Sequence, residues 1–273
     1  MLDVLLDTLL DTVKLIPFLY LAFLLIEFIE HKLKNKKILK KAGKFGPFFG
    51  ALLGGVPQCG FAASATNLYI TRIISLGTLI AVYLSTSDEM LPIMLSQQVP
   101  FAFVIRIIGI KVLIGMLFGF LIDLIYQKKF KTDYSLCKEE HCHCESENIF
   151  ISSLKHTINI IFFIMIINFL LNCIFHYGGE TIISNLLLKN SVFGSFITSL
   201  IGLIPNCGAS VAITQLYLNN AISLGGLIGG LLTGSGIALV ILFKQNKNLK
   251  ENLTIISLVY FIGAICGLLI DIF

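Results

Sequence analysis

The stretch PQCGFAASATNLYITRIISLGTLIAVYLSTS at 57–87 returns as PNCGASVAITQLYLNNAISLGGLIGGLLTGS at 205–235. The two stretches lie 148 positions apart and share 14 of 31 residues without a gap. Chance in so apolar a chain would give roughly one identity in ten. Their longest shared run is Ile74–Gly77, which falls on Ile222–Gly225. This repetition predicts two copies of one structural unit.

The repeat extends beyond these stretches. At the same offset Asp123 falls on Asp271, and both lie near predicted helix ends, where we expect them at the membrane interface. Two glycine pairs with a spacing suited to close helix packing also coincide, namely Gly115 and Gly119 with Gly263 and Gly267. We therefore interpret the chain as a first transmembrane repeat, a linker and a second transmembrane repeat, with bounds 1–126, 127–149 and 150–273.

The composition indicates a membrane protein. Hydrophobic residues make up 56% of the chain and charged residues 13%, against about 25% charged in soluble domains. The mean hydropathy of +0.90 agrees. Because backbone polar groups need internal partners in lipid, we expect an all-α polytopic fold. Three early aspartates argue against a cleavable signal peptide, and seven cysteines, an odd number, argue against a disulfide framework.

The distribution of lysines predicts that the two repeats are inserted in opposite orientations. Segment 31–46 carries seven lysines, whereas its counterpart 176–190 carries one. Basic loops stay in the cytoplasm. We therefore expect a protein of the cytoplasmic membrane, with the 127–149 linker in the cytoplasm and both termini outside.

Two topologies fit this inverted repeat. Five apolar segments per repeat give ten crossings, but glycines and Pro57 interrupt 46–70, and a polar run interrupts 73–98. Such breaks are tolerated only where they face protein or a wet cavity. The alternative makes 46–70 a re-entrant hairpin and 73–98 one broken helix, which leaves six crossings and moves Arg72 from the outside to the inside.

The paired breaks at the repeat centres are the main candidate binding site. Proline removes a backbone donor, glycine lets the backbone approach a ligand, and half-helix ends offer bare backbone groups to an ion. The thiols suit soft metals or trivalent arsenic, and the amides add oxygen ligands. The alternative is a pair of packing kinks. The candidates are Pro57, Gln58, Cys59 and Gly60, with Pro205, Asn206, Cys207 and Gly208.

Ser87, Asp88 and Glu89 form a second candidate site. Charges inside membranes are costly and usually functional, so these groups are candidates for binding a cation or carrying coupling protons. The second repeat lacks both acids. A hydrated interfacial loop is the alternative. Arg106 and Lys111 either compensate these acids, attract an anionic substrate or reach towards the interface.

The linker holds a third candidate site, for a metal. A short tract rich in His and Cys is typical of metal binding, and the absence of zinc-finger spacing favours a flexible capture site. No nucleophile–base pair, Walker loop or dinucleotide fingerprint is present, so we expect no enzyme and no cofactor beyond the transported ion and coupling protons. The linker candidates are Cys137, His141, Cys142, His143 and Cys144.

Five motifs in order resemble one known family. They are the Asp11–Phe18 run, Pro57–Gly60, Thr86–Glu89, the His/Cys linker and Pro205–Gly208. Together they are similar to the ten-transmembrane heavy-metal exporter family, whose members are labelled arsenic efflux proteins or manganese transporters. The resemblance implies a ten-helix permease that exports a metal or metalloid, and it assigns no ligand to any residue.

Three functions stay open at this point. The first is gradient-driven export of a heavy metal or metalloid, in which Cys59 and Cys207 matter. The second is Mn²⁺ export, for which oxygen ligands such as Asp88 would suffice. The third is an organic or inorganic anion permease that uses Arg106 and Lys111. The expected partners are the lipid bilayer, the transported ion and, for oligomerisation, further copies of the chain; no basic, aromatic-rich surface suggests nucleic acid.

Overall fold

The computed structural model describes residues 45–56, 59–87, 90–126 and 194–272, together with single helical positions between 9 and 24 and between 150 and 169. All regular secondary structure in this part of the chain is helical. The helices are α1 (Gly46–Gly54), α2 (Cys59–Ile70), α3 (Leu76–Ser85), α4 (Met90–Ser96), α5 (Phe101–Tyr126), α6 (Gly194–Gly202), α7 (Cys207–Leu218), α8 (Leu224–Thr233), α9 (Ala238–Gln245) and α10 (Leu249–Ile272).

The helix boundaries repeat with the period found in the sequence. Each of α1–α5, the first half, begins 148 positions before its counterpart in α6–α10, the second half. The turns after α2 and α7 also match, because Arg72 and Asn220 both adopt a left-handed backbone, with φ of 60° and 56°. The local structure of the two halves is therefore the same, although many of their side chains differ.

Three apolar helical stretches in the described residues are long enough to cross a membrane, which agrees with the expected polytopic protein. They are Phe101–Tyr126, Leu224–Gln245 and Leu249–Ile272. The second of them contains α8, a short break and α9. By contrast, the nine residues of α1 cover about 14 Å at 1.5 Å per residue, less than half of the roughly 30 Å hydrocarbon core.

Helices α1 and α2 form a hairpin against α3. Helix α1 runs parallel to α3, because Gly46 lies against Thr78 while Gly54 lies against Ser85. Helix α2 runs back in the opposite direction and contacts α3 through a 2.7 Å hydrogen bond between the hydroxyls of Thr66 and Tyr83. These contacts correspond to the hairpin and broken helix of the second topology.

A carboxylate fixes the start of α3 to the end of α5. Ser75 caps α3 by accepting a hydrogen bond from the Thr78 N–H at 3.1 Å. Asp123 accepts from the Gly77 N–H at 2.9 Å and from the Ser75 hydroxyl at 2.6 Å. The second half repeats the arrangement with Ser223, Gly225 and Asp271. Asp271 is exposed, whereas Asp123 is buried, so the first carboxylate of the pair is covered by protein and the second is not.

The two halves share their core. One cluster joins α2 and α3 to α8, α9 and α10, with Tyr83 and Leu232 among its buried members. Another joins α4 and α5 to α7 and α8. Helix α2 packs on α9, and α7 packs on α4. Interchange of the halves converts the first of these contacts into the second, so each half packs on the other through equivalent helices.

Candidate functional site

In the first half, the end of α1 meets the end of α3. A Cβ added to Gly54 would overlap the Ser85 hydroxyl and lie 2.7 Å from the Val82 carbonyl oxygen. Glycine is required here because the two backbones touch. We call the group of Gly54, Ser85, Thr86 and Ser87 the first junction. It brings the end of α1 to the point where the broken helix is interrupted.

The first junction is buried and rich in oxygen. The hydroxyls of Ser85 and Thr86 donate to helix carbonyls at 2.8 Å and 2.7 Å, and the Ser87 hydroxyl donates to the Ser85 carbonyl at 3.1 Å. All three residues are at most 3% exposed. Each hydroxyl oxygen keeps acceptor capacity after donating its proton. The junction can therefore coordinate a cation or accept a hydrogen bond from a neutral solute.

Lys111 brings a positive charge to the first junction. It lies near the middle of the 26-residue α5, is fully buried, and donates from Nζ to the Thr86 carbonyl oxygen. It therefore does not reach the membrane interface, whereas Arg106 is exposed. A buried ammonium is stable only with compensating groups. The corresponding position in α10 is Val259, so this charge belongs to the first half alone.

The second junction, formed by Gly202, Thr233, Gly234 and Ser235, has the same backbone arrangement. A Cβ at Gly202 would overlap the Gly230 carbonyl oxygen and the Thr233 hydroxyl. The Thr233 hydroxyl donates to the Ser199 carbonyl at 2.8 Å, which links α8 to α6. The four residues that form this junction are uncharged.

Asn206 and Pro205 lie beside the second junction. Asn206 is 5% exposed and caps α7, because its side-chain oxygen accepts from the Gly208 N–H at 2.8 Å. Part of its predicted ligand capacity is thus used by the backbone. Pro205 lines an apolar cleft of about 360 Å³ that extends along α9 to Lys244.

The remaining predicted site residues are only partly described. Cys59 and Cys207 are the first residues of α2 and α7, and Gly60 is buried in α2. Within the described ranges, no three His, Cys, Asp or Glu side chains come together as a metal-binding group. Nine predicted site residues lie outside those ranges, namely Pro57, Gln58, Asp88, Glu89, Cys137, His141, Cys142, His143 and Cys144. The metal site in the linker stays a prediction.

One buried amide was not among the site residues predicted from the sequence. Asn67 in α2 is 1% exposed, and neither its oxygen nor its nitrogen has a hydrogen-bond partner in the described structure. Buried polar groups without partners are rare in folded proteins. Helical spacing places Asn67 on the same face as Gly60 and Ala63. Asn67 therefore keeps unused hydrogen-bonding capacity inside the protein.

Two contacts between the halves were not predicted from the sequence. Arg72, in the turn after α2, forms a bidentate ion pair with Glu251 in the first turn of α10. The Tyr69 hydroxyl donates to the same carboxylate. At the positions of the repeat that correspond to Tyr69 and Glu251, Tyr217 stacks on Phe103 with ring centroids 6.1 Å apart. An alignment of the repeats pairs Glu251 with Phe103, but it gives no sign that these positions lie between the halves.

The chain is similar to a known protein family over its first part. The family model described as "Putative, 10TM heavy-metal exporter" matches residues 1–176, nearly two thirds of the chain. The matched region includes the first junction, the linker and the beginning of the second repeat. No curated protein and no solved structure matches the chain.

Proposed function

The chain belongs to the 10TM heavy-metal exporter family, and from this premise we propose that it is a secondary transporter that exports a heavy metal or metalloid across the cytoplasmic membrane. The substrate would pass the two junctions, where Cys59 and Cys207 begin α2 and α7. Thiolates suit thiophilic metals and trivalent arsenic, which makes an arsenic-efflux activity the first candidate.

One observation carries this proposal. In each half, the end of a hairpin arm touches the interruption of a buried helix, at Gly54 with Ser85 and at Gly202 with Thr233. Interrupted helices place unpaired backbone groups and helix ends inside the protein, where they can bind an ion. Such interruptions are stable in a membrane only when protein or a wet cavity surrounds them, and both junctions are buried.

We further propose that the halves are inverted in the membrane. The Arg72–Glu251 ion pair supports this, because it joins the end of α2 in one half to the start of α10 in the other. The Phe103–Tyr217 stack supports it at the opposite end of the molecule. The basic residues Lys244, Lys247 and Lys250 support a cytoplasmic location for the α10 start, and in the proposed topology Arg72 and the linker would lie on the same side.

In this scheme the linker would capture the metal before transport. Five candidate ligands between Cys137 and Cys144 would raise the local concentration of the ion on the cytoplasmic side. Protons are the proposed coupling ions, carried by Asp88 or Glu89. Assembly into a homo-oligomer is a further proposal.

The test is uptake of arsenite, Mn²⁺, Zn²⁺ and phosphate by inverted membrane vesicles. We expect arsenite or another thiophilic ion to accumulate with the wild type and at least about tenfold more slowly with Cys59→Ser/Cys207→Ser, since loss of about 1.4 kcal/mol of binding is tenfold. Cys266→Ser, which changes a buried thiol in α10, is the matched control and should transport normally. Equal accumulation by all three proteins would refute a thiol-dependent site.

Two alternatives have specific support. The buried hydroxyls of Ser85, Thr86 and Ser87 favour Mn²⁺, which prefers oxygen ligands; in that case Asp88→Asn should abolish Mn²⁺ uptake while the double serine variant transports normally. The buried Lys111 ammonium favours an anion permease. Uptake of phosphate without any metal would support that function and exclude metal export.

A further inference from the structure

Two contacts hold the halves together at opposite ends of the molecule. The first, the ionic contact, consists of Tyr69, Arg72 and Glu251. The second, the aromatic contact, consists of Phe103 and Tyr217. The repeat offset of 148 pairs Tyr69 with Tyr217 and Glu251 with Phe103. Equivalent positions of the two halves therefore form a contact that includes an ion pair at one end of the molecule and a contact between two aromatic rings at the other.

The ionic contact has the geometry of a strong ion pair. Arg72 Nη1 and Nη2 lie 2.5 Å and 2.9 Å from the two carboxylate oxygens of Glu251, and the buried Tyr69 hydroxyl donates to the same carboxylate. The guanidinium also lies 5.3 Å from the centre of the Tyr69 ring. The hydrogen bonds to Glu251 raise the pKa of Arg72 above its ordinary value, so the guanidinium stays charged.

Solvent can reach this contact. The side chains of Arg72 and Glu251 are 28% and 18% exposed, so dissolved salt can weaken their attraction. The aromatic contact differs in kind, because its rings are nearly parallel, at 7°, and neither carries a charge. Salt does not screen the packing of two apolar rings.

The ionic contact lies at the end of the molecule where α5 ends. Arg72 lies three residues before Ser75, whose hydroxyl is bonded to Asp123 near the end of α5. The ionic contact is therefore at the face where α5 ends, and the aromatic contact is at the opposite face, where α5 begins with Phe101. A transporter with alternating access must open one face at a time.

We propose that these two contacts are the latches of alternating access, an ionic latch at the face where α5 ends and an aromatic latch at the opposite face. This inference rests on the proposed transport function. Because the latches differ in chemistry, the two closed states respond differently to salt and to substitution. Loss of the ionic pair shifts the equilibrium towards the state open at the α5-end face.

Two engineered cysteines would report which face is open. Leu242 is fully buried in the core cluster that contains Tyr69, and Met94 is fully buried in the cluster on which Phe103 and Tyr217 pack. Leu242 and Met94 occupy corresponding positions of the two halves. In proteoliposomes, a membrane-impermeant maleimide is applied to one face at a time, and labelling of Leu242→Cys and of Met94→Cys is quantified by mass spectrometry.

Glu251→Gln should raise the labelling of Leu242→Cys from the α5-end face about tenfold, which corresponds to 1.4 kcal/mol, and leave Met94→Cys protected. Phe103→Ala should do the reverse. The charge exchange Arg72→Glu/Glu251→Arg should restore protection of Leu242→Cys. Equal increases at both reporters would mean that the fold has loosened, and would overturn the proposal, as would no increase at either reporter.

A salt series on otherwise unaltered reporter proteins provides a second measurement, which does not depend on the stability of Glu251→Gln. Raising the ionic strength from 0.01 M to 1 M shortens the screening distance from about 30 Å to about 3 Å. Labelling of Leu242→Cys should rise and labelling of Met94→Cys should not; a salt-independent Leu242→Cys would reject the ionic latch. Neither measurement needs a substrate, so failure of metal uptake in the same vesicles would count against the proposed function alone.

Discussion

At the scale of single residues, Lys111 is the group that most clearly separates the two halves. It is fully buried and donates to the Thr86 carbonyl at the first junction, where the second half has an apolar Val259. A lysine in an apolar helix could have reached the interface, and the sequence left that choice open. In the structure the Lys111 side chain is buried and bonds at the junction instead of reaching the interface.

Lys111→Met should destabilise the protein. The substitution keeps the length of the side chain but leaves the buried Thr86 carbonyl without its donor, which costs about 1–3 kcal/mol. Arg106→Met removes a cation from an exposed position of the same helix and is the matched control. We expect a lower midpoint of thermal unfolding in detergent for Lys111→Met only. Identical midpoints for both variants would contradict the role given to the Lys111–Thr86 bond.

The repeat predicts that Asp123 and Asp271 are equivalent, but it does not predict what they bind. Their coincidence at offset 148 could be read from the sequence, as could that of the serines and glycines that they bind. Their role as helix caps could not, because capping depends on the meeting of α3 with the end of α5, 46 residues away. Burial also differs between the two copies, since only Asp123 is covered.

At the scale of helices, two glycines allow the hairpins to pack closely against the broken helices. Gly54 and Gly202 end α1 and α6 in contact with the backbones of α3 and α8. The sequence predicted breaks at these places from glycine and proline. It could not choose between ten crossings and a hairpin with a broken helix, because both topologies give the same apolar segments and the same repeat.

Gly54→Ala tests this close approach. The new methyl group would overlap the Ser85 hydroxyl and lie 2.7 Å from the Val82 carbonyl oxygen, so the hairpin would have to move away from the first junction. We expect destabilisation of about 1–3 kcal/mol and loss of metal uptake. Gly109→Ala is the control in α5, because nothing lies within 4 Å of its added Cβ and helix propensity favours alanine by about 1 kcal/mol. A Gly54→Ala protein as stable and active as Gly109→Ala would disprove the close packing.

At the scale of the whole molecule, the contacts between the halves support the inverted topology that we propose, in which hairpins and broken helices replace ten separate crossings. Arg72 meets Glu251 and Tyr217 meets Phe103, so the turn after α7 lies on the side where α5 begins. Ten separate crossings would instead place that turn on the side where α10 begins. The partners in these contacts are more than 100 residues apart in the chain, and for that reason no local pattern in the sequence could reveal them.

Cysteine labelling of three exposed turn positions would test this topology. Asn220→Cys should react with an impermeant maleimide from the same side as Gln98→Cys and from the side opposite to Lys247→Cys. All three residues are exposed, so reactivity depends on the side and not on burial. Labelling of Asn220→Cys together with Lys247→Cys would instead establish ten crossings.

The short helices also bear on how the protein is made. Helix α3 has ten residues, all of them buried, and is therefore too short to span a bilayer by itself. Helix α5, with 26 residues, is long enough to enter the membrane unaided, yet the ribosome synthesises it after α1–α4. Until α5 arrives, the unpaired backbone groups at the ends of α1 and α3 lack the surface that covers them. We therefore expect α1–α4 to reach their final positions only after α5 has entered the membrane, because α5, the last helix of the first half to be synthesised, provides the surface on which they pack.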